Sequence, residues 1–349
     1  VATNLVGVDI GSTSLRAVEL GAAGKAKPNL LRFHEIHLPE GAVIRGEVVE
    51  PEIVGPALKR LWSEGGFKSK NVVLGIGNHR VLVRDLSVPK MSLKRIRESL
   101  PFQIQNLLQV PIADSLLDFY PISESPGDHS QMVNGLLIAA EKESILGNIR
   151  VAEQAGLTPV EVDLIPFALS RLLIGRPQLA GTVALIDIGA STTSVTIAIE
   201  GVPQFVRIIP AGGDDLTQAL KAELEIETNQ AEWLKRTLEL PAKMSTTDDP
   251  RAREILYSIT GELLSSLRNT ISYFSNTRPQ DPVGQIVLTG GGSQLAGFTE
   301  SLAEMTRLPV TDADPFTSLA PPRRFKAKRW HHSRRSITVA LGLALRNIA

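Results

Sequence analysis

Two segments of this chain repeat one another, and that duplication constrains the fold more than any other feature of the sequence. Leu5–Arg16 reads LVGVDIGSTSLR and Leu185–Val195 reads LIDIGASTTSV, with Asp9 and Asp187 standing 178 residues apart. In each copy an apolar strand runs into Asp-Ile-Gly, small hydroxylated residues follow, and a second strand begins. One Asp-x-Gly at a strand end is an ordinary hairpin. Two copies, joined by a third glycine-rich turn at Leu288-Thr-Gly-Gly-Gly-Ser293 entering a helix, are not. A duplicated α/β domain with its ligand between the halves is the simplest architecture that accounts for them.

The residue types suit a polyphosphate. A tight turn without bulky Cβ groups can aim successive backbone N–H donors at phosphate oxygens, which Gly11 and Gly189 permit. Ser12, Thr13 and Ser14, with Ser191, Thr192 and Thr193, can add hydroxyl donors. Asp9 and Asp187 at the strand ends suit contact with Mg²⁺ through water, because that ion takes oxygen ligands and keeps part of its hydration shell. Arg16 points to the same side as Ser14 and Ser12 and is expected to offset phosphate charge. No GxxxxGK[ST] occurs in the chain, which excludes a P-loop ATPase.

Composition narrows the rest. At 349 residues and 43% apolar, the chain can build two or three cores, and its 37 basic and 37 acidic residues leave no net charge to attract nucleic acid. The lack of cysteine excludes disulfides, thiolate metal sites and cysteine nucleophiles, and fits a reducing compartment. No signal peptide is legible before Asp9, and the apolar runs Thr182–Ile188 and Val339–Leu345 are shorter than the ~20 residues a membrane span needs. The expected location is cytoplasmic, with membrane contact only through partners.

Along the chain, strands are expected at Leu5–Asp9, Ser14–Leu20, Leu30–His37 and Asn71–Gly77, with a helix opened by Pro51 and closed at Gly65–Gly66. Arg80–Val88 reads as a strand, Ser92 as the cap of a helix that should kink or break at Pro101, and Leu116–Ile122 and Gly135–Ala140 as strands around a mobile polar tip, Ser123–Gln131. A helix over Ser144–Ala155 and a strand at Val160–Asp163 complete a unit that could be inserted. Helices follow at Leu216–Leu224 and Gln230–Leu240, the second opened by Thr228 or Asn229, and a long one begins after Asp249. Gln285–Thr289 reads as a buried strand, and Ser336–Asn347 as a closing helix. Trp62 and Trp233 read as packing residues, and Phe102–Leu108 as the buried face of the inserted unit.

These residues resemble the actin/Hsp70 ATPase superfamily, with phosphate loops at Asp9–Arg16 and Asp187–Ser194 and an adenosine loop at Gly290, Gly291 and Gly292. Within it the chain is similar to the PilM family, actin-like cytoplasmic proteins of type IV pilus assembly, and to their cousins, the FtsA cell-division proteins. The stretches VGVDIGSTSLRAVEL (6–20), VRDLSVPKMS (83–92), AEQAGLTPVEVD (152–163) and VALGLALR (339–346) carry the family likeness nearly end to end. The resemblance implies an α/β fold of duplicated actin-like, ribonuclease H-like domains. One subdomain would comprise 1–79 with 164–181 and 336–349. An SHS2-type insert would occupy 80–163, the second main subdomain 182–215 with 279–335, and its companion 216–278.

It further implies that Gly212, Gly213 and Asp214 lie near the phosphates and that the helix carrying Glu232 and Lys235 reaches the nucleoside. Glu232 would accept from ribose hydroxyls while the stem of Lys235 lines the adenine. Without the resemblance, the two read equally as a solvated ion pair. The implied cofactors are ATP or ADP with Mg²⁺. The implied partner is the N-terminal cytoplasmic tail of a PilN-like inner-membrane protein, entering a groove at the insert, with other pilus assembly components beside it. Two departures stand out. Ile165 replaces a glutamate that relatives often carry, leaving Asp163 as the nearest candidate base, so turnover is expected to be slow or absent. Arg323–Arg335 holds seven Arg or Lys with Trp330, His331 and His332 and no acid, and suits solvent or an acidic surface rather than a metal. An FtsA-type membrane filament and a small-molecule kinase or phosphatase are the competing readings.

Overall fold

The computed structural model describes residues 4–104, 111–127, 130–240, 250–320 and 336–345. Its first strand, β1 (Val6–Ile10), is buried along its whole length as a central strand covered on both faces, apolar except for Asp9 near its end. It pairs antiparallel with β2 (Ser14–Gly21), which pairs with β3 (Asn29–His37). On its other side it runs parallel to β6 (Asn71–Ile76), and β6 runs parallel to β10 (Thr158–Leu164). The second sheet repeats this pattern. β11 (Thr182–Ile188) is antiparallel to β12 (Thr193–Ile199), which pairs with β13 (Val202–Ile209), while β14 (Gln285–Thr289) and β15 (Val310–Asp312) follow in parallel. The orders β3-β2-β1-β6-β10 and β13-β12-β11-β14-β15 are the same topology twice, which confirms the duplicated α/β fold.

Each sheet has its own outer helical cover. Val6, Val8 and Ile10 pack on Val54, Leu58 and Leu61 of α1 (Pro51–Gly65) and on Val151 and Ala152 of α3 (Lys142–Gln154). In the second lobe Ala184, Ile186 and Ile188 pack on Leu264, Leu267 and Phe274 of α7 (Pro250–Thr277) and on Phe298 and Leu302 of α8 (Phe298–Thr306). The inner faces share one layer. α4 (Ile165–Ser170) continues into a π-helical turn at Arg171–Gly175, and α9 (Thr338–Ala344) lies beside it. Leu169, Leu172, Ile174 and Leu341 meet Val18 and Leu20 of one sheet and Val183, Leu185 and Val287 of the other in a single core. A pair of short strands, β4 (Val43–Ile44) and β5 (Glu47–Val48), precedes α1.

The inserted unit is a three-stranded antiparallel sheet in the order β7 (Val81–Pro89), β9 (Gln131–Glu141), β8 (Ser115–Pro126), covered by α2 (Leu93–Gln103). Ser92 caps α2 by accepting from the Arg95 amide, as the sequence indicates. The helix does not break at Pro101. It runs on to Gln103, because a proline in the last turn forfeits only one hydrogen bond. The hairpin strands extend into the tip that the sequence suggests is mobile, β8 running to Pro126 and β9 beginning at Gln131. The C-terminal boundary of the insert also needs correction, since Thr158–Leu164 pairs with β6 and belongs to the first sheet. β13, which the sequence reading omitted, places Ile208 against Val81, Ala140 and Ile145 of the insert and its flanking helix. Arg278, just after α7, donates to Gln204 of β13 at 3.1 Å and to Asp85 of β7 at 3.2 Å.

Trp62 is a packing residue, donating to the Ser69 carbonyl at 2.9 Å and resting on Phe67. Trp233 is not, being 67% exposed on the outer side of its helix. Phe102 is likewise 77% exposed, so the Phe102–Leu108 run is not a uniformly buried face. Among its described residues only Ile104 is fully buried. The residues 105–110, the cap Asp249 and the basic stretch Arg323–Arg335 lie outside the described residues.

Gly7 lets α9 lie directly on β1: a Cβ there would fall 2.0 Å from the Ala340 carbonyl oxygen. Gly7→Ala is therefore expected to cost about 1–3 kcal/mol, read as a lower denaturation midpoint. An unchanged midpoint would contradict this packing.

Candidate functional site

Both aspartate-glycine turns sit where their strands leave the sheet, and both close in the same way. The Gly11 amide donates to the Ser14 carbonyl at 3.1 Å, and the Gly189 amide donates to the Thr192 carbonyl at 2.9 Å. The two turns face each other, with the hydroxyl oxygens of Ser12 and Ser191 in hydrogen bond at 2.8 Å. Among the described residues the amides of Ser12, Thr13, Ala190, Ser191 and Thr192 donate to no backbone carbonyl, which leaves five donors of the two turns uncommitted to the backbone. Thr193 is committed elsewhere, its hydroxyl donating to the Ala211 carbonyl at 2.7 Å. Ser14 is committed too, donating to Glu35 at 3.0 Å.

The other glycine segments build onto the second turn. The Gly213 amide donates to the Gly189 carbonyl at 3.0 Å and the Asp214 amide to the Ala190 carbonyl at 2.7 Å, which docks α5 (Gly213–Leu224) by its N-terminus. A Cβ on Gly212 would lie 2.5 Å from the Ala190 oxygen. Gly290 has φ +90°, and a Cβ on it would come within 2.3 Å of the Ile188 oxygen and 2.7 Å of Asp187 Oδ1. A Cβ on Gly292 would come within 2.4 Å of the Ile188 side-chain Cγ2, whereas Gly291 borders open space. Side chains at these positions would fill the cradle.

Charge is unequal across the gap. Burial pushes the Asp9 carboxyl above its ordinary range, opposed by Arg16, whose Nη1 donates to Asp9 at 3.2 Å. Asp187 accepts no hydrogen bond among the described residues. Burial first, and then the charge of Asp9, push it up to about 7, with only a weaker opposing pull from Arg16. Arg16 does not project freely toward the cleft as the sequence suggested, because its Nε is bound to Glu35 at 2.8 Å. For Glu35, burial is outweighed by Arg16 and by hydrogen bonds from Ser14, Arg16 and Ser336, which hold it below its usual range. Sequence reasoning missed Glu35. Its one signal was a carboxylate in an otherwise part-apolar strand.

On the far side, α6 (Thr228–Thr237) is capped by Glu227 rather than by Thr228 or Asn229. Its Lys235 donates to the Gly213 carbonyl at 3.1 Å and to Thr217 at 2.7 Å, while Glu232 accepts from Thr217 at 2.6 Å and from Lys235. The pair is thus neither a bare solvated bridge nor detached from the site. It is tied to the helix that starts at the glycine cradle. Burial raises Asp214, against the pull of Lys235. Glu40, also missed, crosses the mouth from the first lobe and accepts from Gln218 and Thr228 of the second, each at 3.1 Å.

Asp163 on β10 is not a free carboxylate. Arg171 donates to it at 2.5 Å and to the Gly342 carbonyl at 3.2 Å, beside a cavity of about 270 Å³ bordered by Leu5, Val73 and Leu343. A carboxylate committed to a permanent cation is not placed to take a proton from water. Among the described residues no cluster of three or more His, Asp or Glu could hold a metal alone.

The model of the type IV pilus assembly protein PilM matches residues 7–348. The chain belongs to the PilM family. A chain of the solved PilM–PilN type IV pilus biogenesis complex superposes on this PilM-family protein with a TM-score of 0.84 and 28% identity, covering 99% of one and 98% of the other. The actin-like fold is shared more widely. MreB5 of Spiroplasma citri bound to AMPPNP gives a TM-score of 0.54 at 13% identity, covering 91% of this chain and 94% of that one. The cell division protein FtsA of Pseudomonas aeruginosa is a distant relative, 23% identical over 90% of this chain and 83% of its own length.

Two outcomes check this geometry. Since the chain has no cysteine, Ser12→Cys with Ser191→Cys gives a single possible pair, and mild oxidation is expected to yield a cross-linked monomer of altered mobility. Failure to cross-link in the folded double variant would mean the turns do not face. For Asp187, the raised folded value means that folding is penalised as pH climbs from the unfolded value of 3.8 toward about 7. Asp187→Asn without ligand should therefore melt higher than the parent at pH 8, the gap closing toward pH 4. Equal melting at both pH values would contradict the burial.

Proposed function

We propose that this chain is a cytoplasmic, ATP-binding, actin-like scaffold of type IV pilus assembly that docks the cytoplasmic N-terminal tail of a PilN-like membrane protein in a nucleotide-dependent way. The observation that carries the nucleotide half is the contact between Ser12 and Ser191, because it sets two donor-rich turns against one space. Polyphosphate entry requires that hydroxyl pair to separate, and the freed hydroxyls and turn amides then become its donors. Asp9 and Asp187 would meet Mg²⁺ through water, the remaining ligands coming from phosphate oxygens and solvent. Gly212, Gly213 and Asp214 would border the phosphates, with Gly290, Gly291 and Gly292, Glu232 and Lys235 on the nucleoside side. The bound ion supplies charge neutralisation. No residue here is assigned as a base, and turnover is expected to be slow or absent.

The partner half rests on the full-length likeness to the PilM–PilN complex chain. No helix among the described residues is long and apolar enough to cross a membrane, so a tail offered by a membrane protein would bring the scaffold to the inner face. A peptide in a groove at the insert would combine backbone pairing with a few apolar anchors. Nucleotide affects that docking only so far as it binds one lobe arrangement more tightly than another.

Calorimetry with Mg·ATP is expected to register binding that Asp9→Ala and Asp187→Ala each weaken about tenfold or more, with cooperative unfolding retained. Undiminished affinity in both variants would mean that the turns are misassigned. In parallel, a synthetic PilN-type tail should bind more tightly in one nucleotide state than in the other. Strong sedimentation of the isolated chain with anionic vesicles would favour the FtsA-type reading instead.

A further inference from the structure

Three side chains in the first lobe form a row across three strands. Asp9 on β1 is the cross-strand partner of Arg16 on β2, and Arg16 is the cross-strand partner of Glu35 on β3. Arg16 gives Nη1 to Asp9 and Nε to Glu35. Ser14 and Ser336 also hydrogen-bond to Glu35, so the outer carboxylate is itself fixed. The guanidinium lies against the first turn, where a side chain begun on Gly11 would come within 3.4 Å of Nη1. The second lobe builds the same turn without any such row. There the partner of Asp187 is Ser194, and the partner of Ser194 is Ile208. The hairpin fold therefore does not require the row, and its presence in one copy alone calls for another reason.

We propose that Glu35 is a positioning residue that holds Arg16 on Asp9 and away from a bound polyphosphate, making binding depend on a divalent cation. This rests on the nucleotide reading above. A guanidinium presents a fixed fork of donors that suits a carboxylate or a phosphate equally well. Here Nε and Nη1 are each held by a carboxylate, and the row of two carboxylates and one guanidinium carries net negative charge, so a phosphate entering beside Gly11 must compete with Asp9 and Glu35 for those donors. Phosphate charge is then neutralised by an ion from solution rather than by the protein. Without Glu35, Nε is released, and the side chain can turn toward the phosphate.

The test is calorimetric titration of the full chain with ATP, in Mg²⁺ and in EDTA, comparing the parent with Glu35→Ala and Glu35→Gln. The ratio of the dissociation constant in EDTA to that in Mg²⁺ is expected to fall about tenfold in Glu35→Ala, mainly through tighter binding in EDTA. Glu35→Gln should move the same way by less, since it keeps the acceptor and loses the charge. It carries the test if Glu35→Ala fails to fold. Adding Arg16→Ala should abolish the gain. An unchanged ratio in folded Glu35 variants that still bind Mg·ATP overturns the proposal alone, as does a gain that survives removal of Arg16. Absence of ATP binding by the parent overturns both this proposal and the nucleotide reading.

Discussion

The molecule is organised by the helical layer that its two sheets share. Leu169, Leu172, Ile174 and Leu341 are buried against Val18 and Leu20 on one side and Val183 and Leu185 on the other, so neither lobe has an independent inner face. Burial of this kind, worth ~25 cal/mol per Å² of apolar surface, is not directional and cannot by itself aim a turn. The repeated strand order does the aiming. Because β1 and β11 hold the same position in the same topology, packing them on one layer brings the ends of both strands to one gap. The contact between Ser12 and Ser191 is the local result of that large apolar constraint.

Duplication supplies the frame, and departures from it supply the chemistry. The two aspartates are equivalent in sequence and in register, yet one is countered by a guanidinium and the other accepts no hydrogen bond among the described residues. Burial penalises both carboxylates, and the charge of Asp9 adds to the penalty at Asp187. The third glycine turn is asymmetric too, since Gly290 closes directly onto Asp187. The cleft is thus lined by one side that carries its own counter-charge and one that does not.

How much of this was legible in the sequence follows from which interactions are local. The turns, the strand pairs around them and the cap at Ser92 depend on neighbours within a few residues, and the sequence reading found them. Glu35 was missed because its pairing with Arg16 depends on the register of β2 against β3. That register shifts between Glu19 and Leu20 and cannot be counted across the intervening turn. Glu40 was missed because its partners lie on the other lobe. Trp233 was misread for a different reason: large aromatic residues are usually buried, and only the packing of α6 decides which side of it faces solvent. Asp163 was weighed as a base on its strand position, and its capture by Arg171 from the following helical turn was out of view.

β13 has a consequence for how movement can spread through the molecule. One end of the strand delivers the chain to Gly212 at the cleft, and its body carries Ile208 and Gln204 against the insert, where Arg278 ties it to Asp85. A hydrogen-bonded strand is stiff along its axis. Whatever tilts the second lobe about the shared helical layer therefore works like a lever arm, with its short end at the glycine cradle and its long side bearing on the three-stranded sheet. The insert is seated on both lobes, with Val81 and Ala140 packed on Ile76, Leu164 and Phe167 of the first and on Ile208 of the second, so no rotation of one lobe against the other can leave its seat unchanged.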